Sequence, residues 1–247
     1  MPKFFVTSDK ISDSQIIIDT EDVAHISRVL RLGEGDFLTV CDSQGTDYEA
    51  EIVSLGQKEI LCKINSKSMS ASEPNIKVTL FQGLPKASKM EYIIQKTTEL
   101  GITEIVPAKL SRCVVKIDNK KDEAKKLDRW QKISESAAKQ SGRGIIPKIS
   151  PIMTLDEIID RSKEFDLFFV PYECEEQKTL RNVLFSKKDI KTVGFLIGPE
   201  GGFDIAETEK LRRAGIDTVT LGKRILRTET AGEAVLAMTM YEIGDIN

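Results

Sequence analysis

Two segments near the C-terminus carry residue types that could do chemistry. The first, Ile197-Gly198-Pro199-Glu200-Gly201-Gly202-Phe203-Asp204, lies between an apolar run and a helix-capping signal. Backbone N–H groups and helix N-termini converge in such strand-to-helix loops, where they bind ligands. The segment has neither the GK[ST] of a phosphate loop nor GxGxxG, and by itself is equally compatible with a tight turn. The second, Leu221-Gly222-Lys223-Arg224-Ile225-Leu226-Arg227-Thr228-Glu229-Thr230-Ala231, places Ile225 and Leu226 in a loop where polar residues are expected. Both side chains are therefore expected to turn inward, against a ligand or another chain. Arg227 stands at a helix start, where the macrodipole opposes a cation, which hints at a function. The plain alternative is a surface loop with an Arg227–Glu229 pair.

The elements around these segments predict where they sit. After residue 73, strand-like runs (Ile76–Gln82, Ile102–Pro107, Asp166–Val170, Val193–Ile197, Thr218–Leu221) alternate with helices. Ser88 with Glu91, Asp204 with Glu207 and Thr230 with Glu233 have capping-box spacing. Met90, Ile93, Ile94, Thr97 and Leu100 line one face of the first helix; Ala234, Val235, Met238 and Tyr241 are the expected buried side of the last. This alternation predicts an α/β domain with a mostly parallel sheet, helices on both faces and both loops at carboxyl ends of strands. Residues 1–73 instead show short runs at Lys3–Val6, Gln15–Ile18, Asp36–Cys41, Thr46–Leu55 and Glu59–Ile64, plus one amphipathic helix at Asp22–Leu30. They read as a small β barrel. The polar stretch Asn65–Asn75 reads as a linker, giving domains 1–73 and 74–247.

Composition narrows the function class. A chain of 247 residues with 40% apolar and 30% charged residues is an ordinary globular protein. No run reaches the roughly 18 apolar residues of a membrane span, and MPKFFVTSDK lacks a signal-peptide core, so the cytoplasm is expected. Cys41, Cys62, Cys113 and Cys174 form no CxxC pair, so neither zinc nor disulfides are expected. The one histidine, His25, falls in the barrel, leaving no imidazole for the C-terminal domain. A net charge of −3 argues against indiscriminate nucleic-acid binding. Lys116–Lys148, however, holds ten Lys and Arg against five acids, with Trp130 inside the run. Trp130 either stacks on a base or belongs to the core. Lys120, Lys121, Lys125 and Lys126 either face RNA or are a solvated helix face.

Taken together, GPEGGF at Gly198–Phe203, LGKRILRTETA at Leu221–Ala231, KMEYIIQKTTELG at Lys89–Gly101, RCVV at Arg112–Val115 and RWQKISESAAKQSGR at Arg129–Arg143 resemble the RsmE-type 16S ribosomal RNA uridine-N3 methyltransferases of the SPOUT superfamily. The resemblance spans the whole chain in order. It implies a SPOUT-type parallel sheet with a C-terminal trefoil knot, a PUA-like N-terminal barrel that binds RNA, a homodimer and no metal. It also implies S-adenosyl-L-methionine as cofactor, held by Pro171, Tyr172, Leu196, Ile197, Gly198, Gly201, Gly202, Leu221, Gly222, Ile225, Leu226, Arg227, Thr228 and Thr230. The substrate it implies is 16S rRNA of the small ribosomal subunit, near the decoding centre. Family members carry an Arg before the N-terminal aromatic pair; this chain has Lys3-Phe4-Phe5, which lacks the bidentate fork.

A neutral adenosine needs backbone hydrogen bonds and apolar walls, which these loops supply. Uridine N3 must lose its proton before it can be methylated, through a base or through cations that stabilise the anion. Arg227 is the expected cation, and Glu200 or Glu229 the expected loop organiser or base. Arg28, Arg31, Lys86, Arg112, Lys125, Lys126 and Arg143 are the expected RNA contacts. Two other readings remain at this point: a non-catalytic rRNA-binding or ribosome-assembly protein, and a nucleotide-binding α/β enzyme, which the missing phosphate motifs disfavour.

Overall fold

The computed structural model describes residues 3–19, 22–115, 117 and 119–244. Lys116, the first cation of the basic run, lies outside them. The chain divides into two compact units: Met1–Glu73 with Ala138–Ile146, and Pro74–Ala137 with Pro147–Asn247.

In the first unit, strands β1 (Lys3–Phe5), β2 (Gln15–Ile18), β3 (Phe37–Cys41), β4 (Thr46–Leu55) and β5 (Ile60–Met69) form one sheet in the order β1-β3-β4-β5-β2. Only β1 and β3 are parallel. Among the described residues no ladder joins β1 to β2, so the pairing stays open where a barrel is expected. Alternating apolar residues of the strands, Ile16, Ile18, Leu38, Val40, Ile52 and Ile60, form the core. The expected helix at Asp22–Leu30 begins as α1 (Asp22–Ala24) and widens into a π-helical turn, His25–Val29, in which Leu30 N–H bonds His25 O at 3.0 Å. Its β-branched and Ser residues are weak helix formers. The expected linker at Asn65–Asn75 is also corrected: β5 continues to Met69, paired with β4, and its second half is polar because most of its side chains face water.

Segment Ala138–Ile146 belongs to this unit because its contacts are here. Ala138 packs with Phe5 and Cys41. Arg143, expected on the RNA face, is instead buried: its Nη2 lies 2.6 Å from Glu73 Oε2. Glu73 Oε1 also accepts the backbone N–H groups of Gly144 at 2.7 Å and Ile145 at 3.0 Å. Lys3 is equally committed, donating to Asp47, Ser70 Oγ and Gly142 O. Arg143→Met should therefore destabilise the protein by about 3 kcal/mol, since it leaves the partly buried Glu73 carboxylate without its cation. Urea unfolding measures this; an unchanged midpoint would show the pair to be idle.

The second unit holds β6 (Lys77–Gly83), α2 (Lys89–Glu99), β7 (Glu104–Lys109), α3 (Lys120–Ser141, its end in the first unit), β8 (Lys148–Ile149), β9 (Met153–Thr154) and α4 (Leu155–Arg161). It continues with β10 (Leu167–Pro171), α5 (Leu180–Leu184), β11 (Thr192–Ile197), α6 (Ile205–Arg213), β12 (Asp217–Val219) and α7 (Thr228–Ile243). The sheet is parallel throughout, in the order β12-β10-β11-β6-β7-β8, with β9 also on β7. Successive side chains of each strand point to opposite faces, and both faces are apolar. Val78, Leu80, Phe169 and Phe195 pack with Ile93, Ile94, Val235 and Leu236. Phe81, Val170 and Leu196 pack with Ile158, Phe203 and Leu211 on the other face. Trp130 is a core residue, 6% exposed, so it does not stack on a base.

Helix ends differ from expectation in two places. The Asp204–Glu207 capping box forms. Ser88 makes no side-chain cap, because its backbone sits outside the extended region that aims a cap at the helix, and Glu91 pairs with Arg129 instead. The last helix opens at Thr228 with Arg227 as N-cap, two residues before the expected Thr230. Its buried face is Gly232, Val235, Leu236, Thr239 and Met240, whereas Met238 and Tyr241 are exposed. A helix apolar all round gives periodicity no face to choose.

Candidate functional site

Strands β10, β11 and β12 end side by side, and the loops that leave them enclose a cavity of about 1050 Å³. Its wall comes from residues 171–173, 175–176, 197–203 and 220–228, closed by Lys89 and Ala231. Of the residues that the resemblance implies as cofactor contacts, Pro171, Tyr172, Ile197, Gly198, Gly201, Gly202, Leu221, Gly222, Ile225, Leu226, Arg227 and Thr228 line it. Leu196 does not: alternation along β11 turns it into the core beside Phe81 and Phe203. Thr230 also stays outside, exposed on the first turn of α7, and Ala231 takes the lining position. Ile225 borders the cavity and is 87% exposed in the single chain, which leaves it open to a ligand or another chain.

The Gly198–Gly202 loop is fixed from three sides. Thr228 Oγ1 donates to Gly198 O at 2.6 Å and accepts from Gln82 Nε2 at 2.8 Å. Arg112 Nη1 donates to Gly201 O at 3.0 Å, and its other end lies 3.5 Å from Asp204. Arg112 therefore braces the loop. Beneath the loop, a Cβ on Gly83 would lie 2.7 Å from both the N and Cδ of Pro199. Real side chains do not approach backbone that closely.

Charges meet at Lys89, the first residue of α2. Its Nζ lies 3.1 Å from Glu200 Oε1 and 3.3 Å from Glu229 Oε2, joining the α2 start, the Gly198–Gly202 loop and α7. Burial alone would raise the Glu200 pKa. Hydrogen bonds from its own backbone N–H and that of Lys86, with the Lys89 ammonium, outweigh it and hold the carboxyl below its ordinary range. The hydrogen bond to Glu200, followed by that to Glu229, raises the Lys89 pKa against desolvation. Glu229 thus pairs with Lys89 and not with Arg227.

In the loop after β10, Glu175 accepts hydrogen bonds from Thr218 Oγ1, then from the N–H groups of Gln177 and Lys178, which pull its pKa to about 2. A depressed carboxyl contributes stability above its unfolded pKa and loses it as pH falls through the folded one. The stability gap between wild type and Glu175→Gln should thus be full above about pH 4.5 and vanish towards pH 2. Acid-titrated urea unfolding of the two proteins checks this, and a gap independent of pH would refute it.

Of the expected RNA contacts, Arg28, Arg31, Lys86, Lys125 and Lys126 are exposed. Arg112 is exposed but bonded to the loop, and Arg143 is buried. Gln82, Gly83 and Lys89 are site residues that motif reading of the loops misses. Gln82 leaves a trace, as the polar side chain near the end of the apolar run KVTLFQG.

Comparison with known proteins places this geometry in context. An RNA methyltransferase domain family matches residues 72–240, and an RNA methyltransferase PUA domain family matches residues 18–65. Ribosomal RNA small subunit methyltransferase E of Bacillus subtilis (strain 168) is 34% identical, over 98% of this chain and 97% of that protein. The protein of that name from Mesomycoplasma hyopneumoniae (strain 232) is 33% identical, over 94% and 95%. The crystal structure of a ribosomal RNA small subunit methyltransferase E from Neisseria gonorrhoeae bound to S-adenosyl methionine superposes with a TM-score of 0.86 at 31% identity, covering both chains fully.

Proposed function

Because the chain belongs to the ribosomal RNA small subunit methyltransferase E family, we propose that it transfers the methyl group of S-adenosylmethionine to N3 of a uridine in the 16S rRNA of the small ribosomal subunit, giving 3-methyluridine. The observation that carries this is the cavity at the ends of β10, β11 and β12, where glycine backbone and apolar side chains stand beside charged residues such as Glu173, Glu176 and Arg227, with no lysine in the Gly198–Gly202 loop. Its chemistry fits the cofactor. Gly198, Gly201, Leu221 and Leu226 suit a neutral adenosine, and the carboxylates of Glu173 and Glu176 at the rim suit the cationic sulfonium and ammonium.

When bound, S-adenosylmethionine supplies an electrophilic methyl group. The protein's own part is to position uridine and to make its N3 nucleophilic. Glu200, ionised and held by Lys89, is a weak proton acceptor, so it and Glu229 organise the loop. Arg227, exposed at the cavity edge, stabilises the uridine anion formed as N3 loses its proton to solvent.

The active unit is a homodimer, a reading supported by exposed Met238 and Tyr241 on α7. The C-terminal chain forms a trefoil knot. Supporting this, β12 lies at the sheet edge, yet α7 returns to pack on α2, β6 and β11. Residues 1–73 act as a PUA-like RNA-binding domain, and the protein works in the cytoplasm. Calorimetric titration with S-adenosylmethionine should give one site per chain. Absence of binding, even with small subunits added, would instead favour a non-catalytic rRNA-binding protein.

A further inference from the structure

Resting on that function, we propose that the Lys223–Ile225 tip of the loop between β12 and α7 is an RNA-docking element: Lys223 and Arg224 grip phosphates beside the target nucleotide, and Ile225 is the wedge that props the base out of its stack. Ile225 is 87% exposed, the most exposed of the large apolar side chains of the described residues. It stands directly on the cavity edge, between Arg224 and Arg227. Lys223, Arg224 and Arg227 are all exposed, and among the described residues none has an ion-pair partner. Lys132, Lys163, Lys178 and Arg213 each have an acid within reach. Arg28, Arg31, Lys125 and Lys126 are exposed like the loop tip and have no ion-pair partner among the described residues, but they do not border the cavity. The loop tip thus carries unneutralised positive charge around one bare apolar side chain.

The same cavity also carries charge of the opposite sign. Glu173 and Glu176 are exposed in the loop after β10 and border the same cavity. Phosphates are repelled there, so a nucleic-acid backbone is admitted over the Lys223–Arg227 side. N3 lies on the Watson–Crick edge of uridine, which pairing hides, so the base must leave its helix before an enzyme can reach it. Apolar wedges flanked by cations perform this task in other nucleic-acid complexes. A second copy of the chain is a poorer occupant, because interface cores are depleted of charge whereas Ile225 has three cations around it.

The test is methylation of small subunits lacking the modification, by wild type, Lys223→Ala/Arg224→Ala and Ile225→Ala, with S-adenosylmethionine titration and sedimentation of each. The double variant should raise KM for subunits about tenfold and lower the salt slope of subunit binding by about 1 to 2. Ile225→Ala should slow methyl transfer at saturating subunits about tenfold with little change in KM. An active wild type with an unaltered salt slope in the double variant would overturn the inference alone. So would a change of oligomeric mass in Ile225→Ala. A wild type that binds cofactor but methylates no subunit would overturn the proposed function as well.

Discussion

Arg227→Ala is expected to lower turnover about 100- to 1000-fold while leaving S-adenosylmethionine affinity almost intact. Arg227 caps α7 with extended backbone, φ −65° and ψ 154°, at the end of the helix where the macrodipole disfavours a cation. Its guanidinium is exposed, and neither Glu200 nor Glu229 neutralises it, since both belong to Lys89. An unpaired cation kept at an unfavourable place on a cavity edge is available for charge that develops during the reaction. Loss of the uridine N3 proton creates such charge. The pH profile distinguishes this role from simple support: without Arg227 the rate should keep rising with pH, as alkali replaces the missing stabilisation of the anion. An Arg227→Ala enzyme with normal turnover would remove the assignment.

Gly83→Ala is the second large effect, at a position with no chemistry of its own. The added methyl group would sit 2.7 Å from Pro199 N and 3.0 Å from Gly198 C, so the glycine loop must lift away from β6. Thr228 and Arg112 hold that loop from other sides, so it cannot shift as a unit without breaking their hydrogen bonds. Overpacking of this kind costs about 2 kcal/mol. The loop relieves the clash by leaving the position in which it walls the cavity, and restoring that position on cofactor binding lowers affinity by up to about 30-fold. Calorimetry of the variant measures it directly. Undiminished affinity would mean that the Gly198–Gly202 loop is not the adenosine wall.

The parts of this structure legible in the sequence were those governed by local pattern. The apolar strands of the second unit, the Asp204–Glu207 box and both glycine segments follow from periodicity and capping chemistry. What escaped depended on contacts distant in sequence. Lys89 reads as a helix residue until folding sets Glu200 and Glu229 against it. Gly83 reads as the end of a strand until Pro199 lies on it. Arg143 looks like an RNA contact because its partner, Glu73, is 70 residues away. The Leu196 side chain lies outside the cavity lining for a simpler reason: consecutive strand residues cannot all turn their side chains to one cavity, and Ile197 lines it. For α7, an all-round apolar sequence left the buried face to be chosen by β6, β11 and α2.

The central claim is transfer of a methyl group to a base nitrogen of small-subunit rRNA. Its most direct test is incubation of the purified protein with S-adenosylmethionine carrying a labelled methyl group and with unmodified small subunits, followed by nucleoside analysis of the digested 16S rRNA. Label is expected in 3-methyluridine at a single position, appearing about 100- to 1000-fold more slowly with Arg227→Ala. Label on ribose or on another base, or none with cofactor shown to be bound, would contradict it.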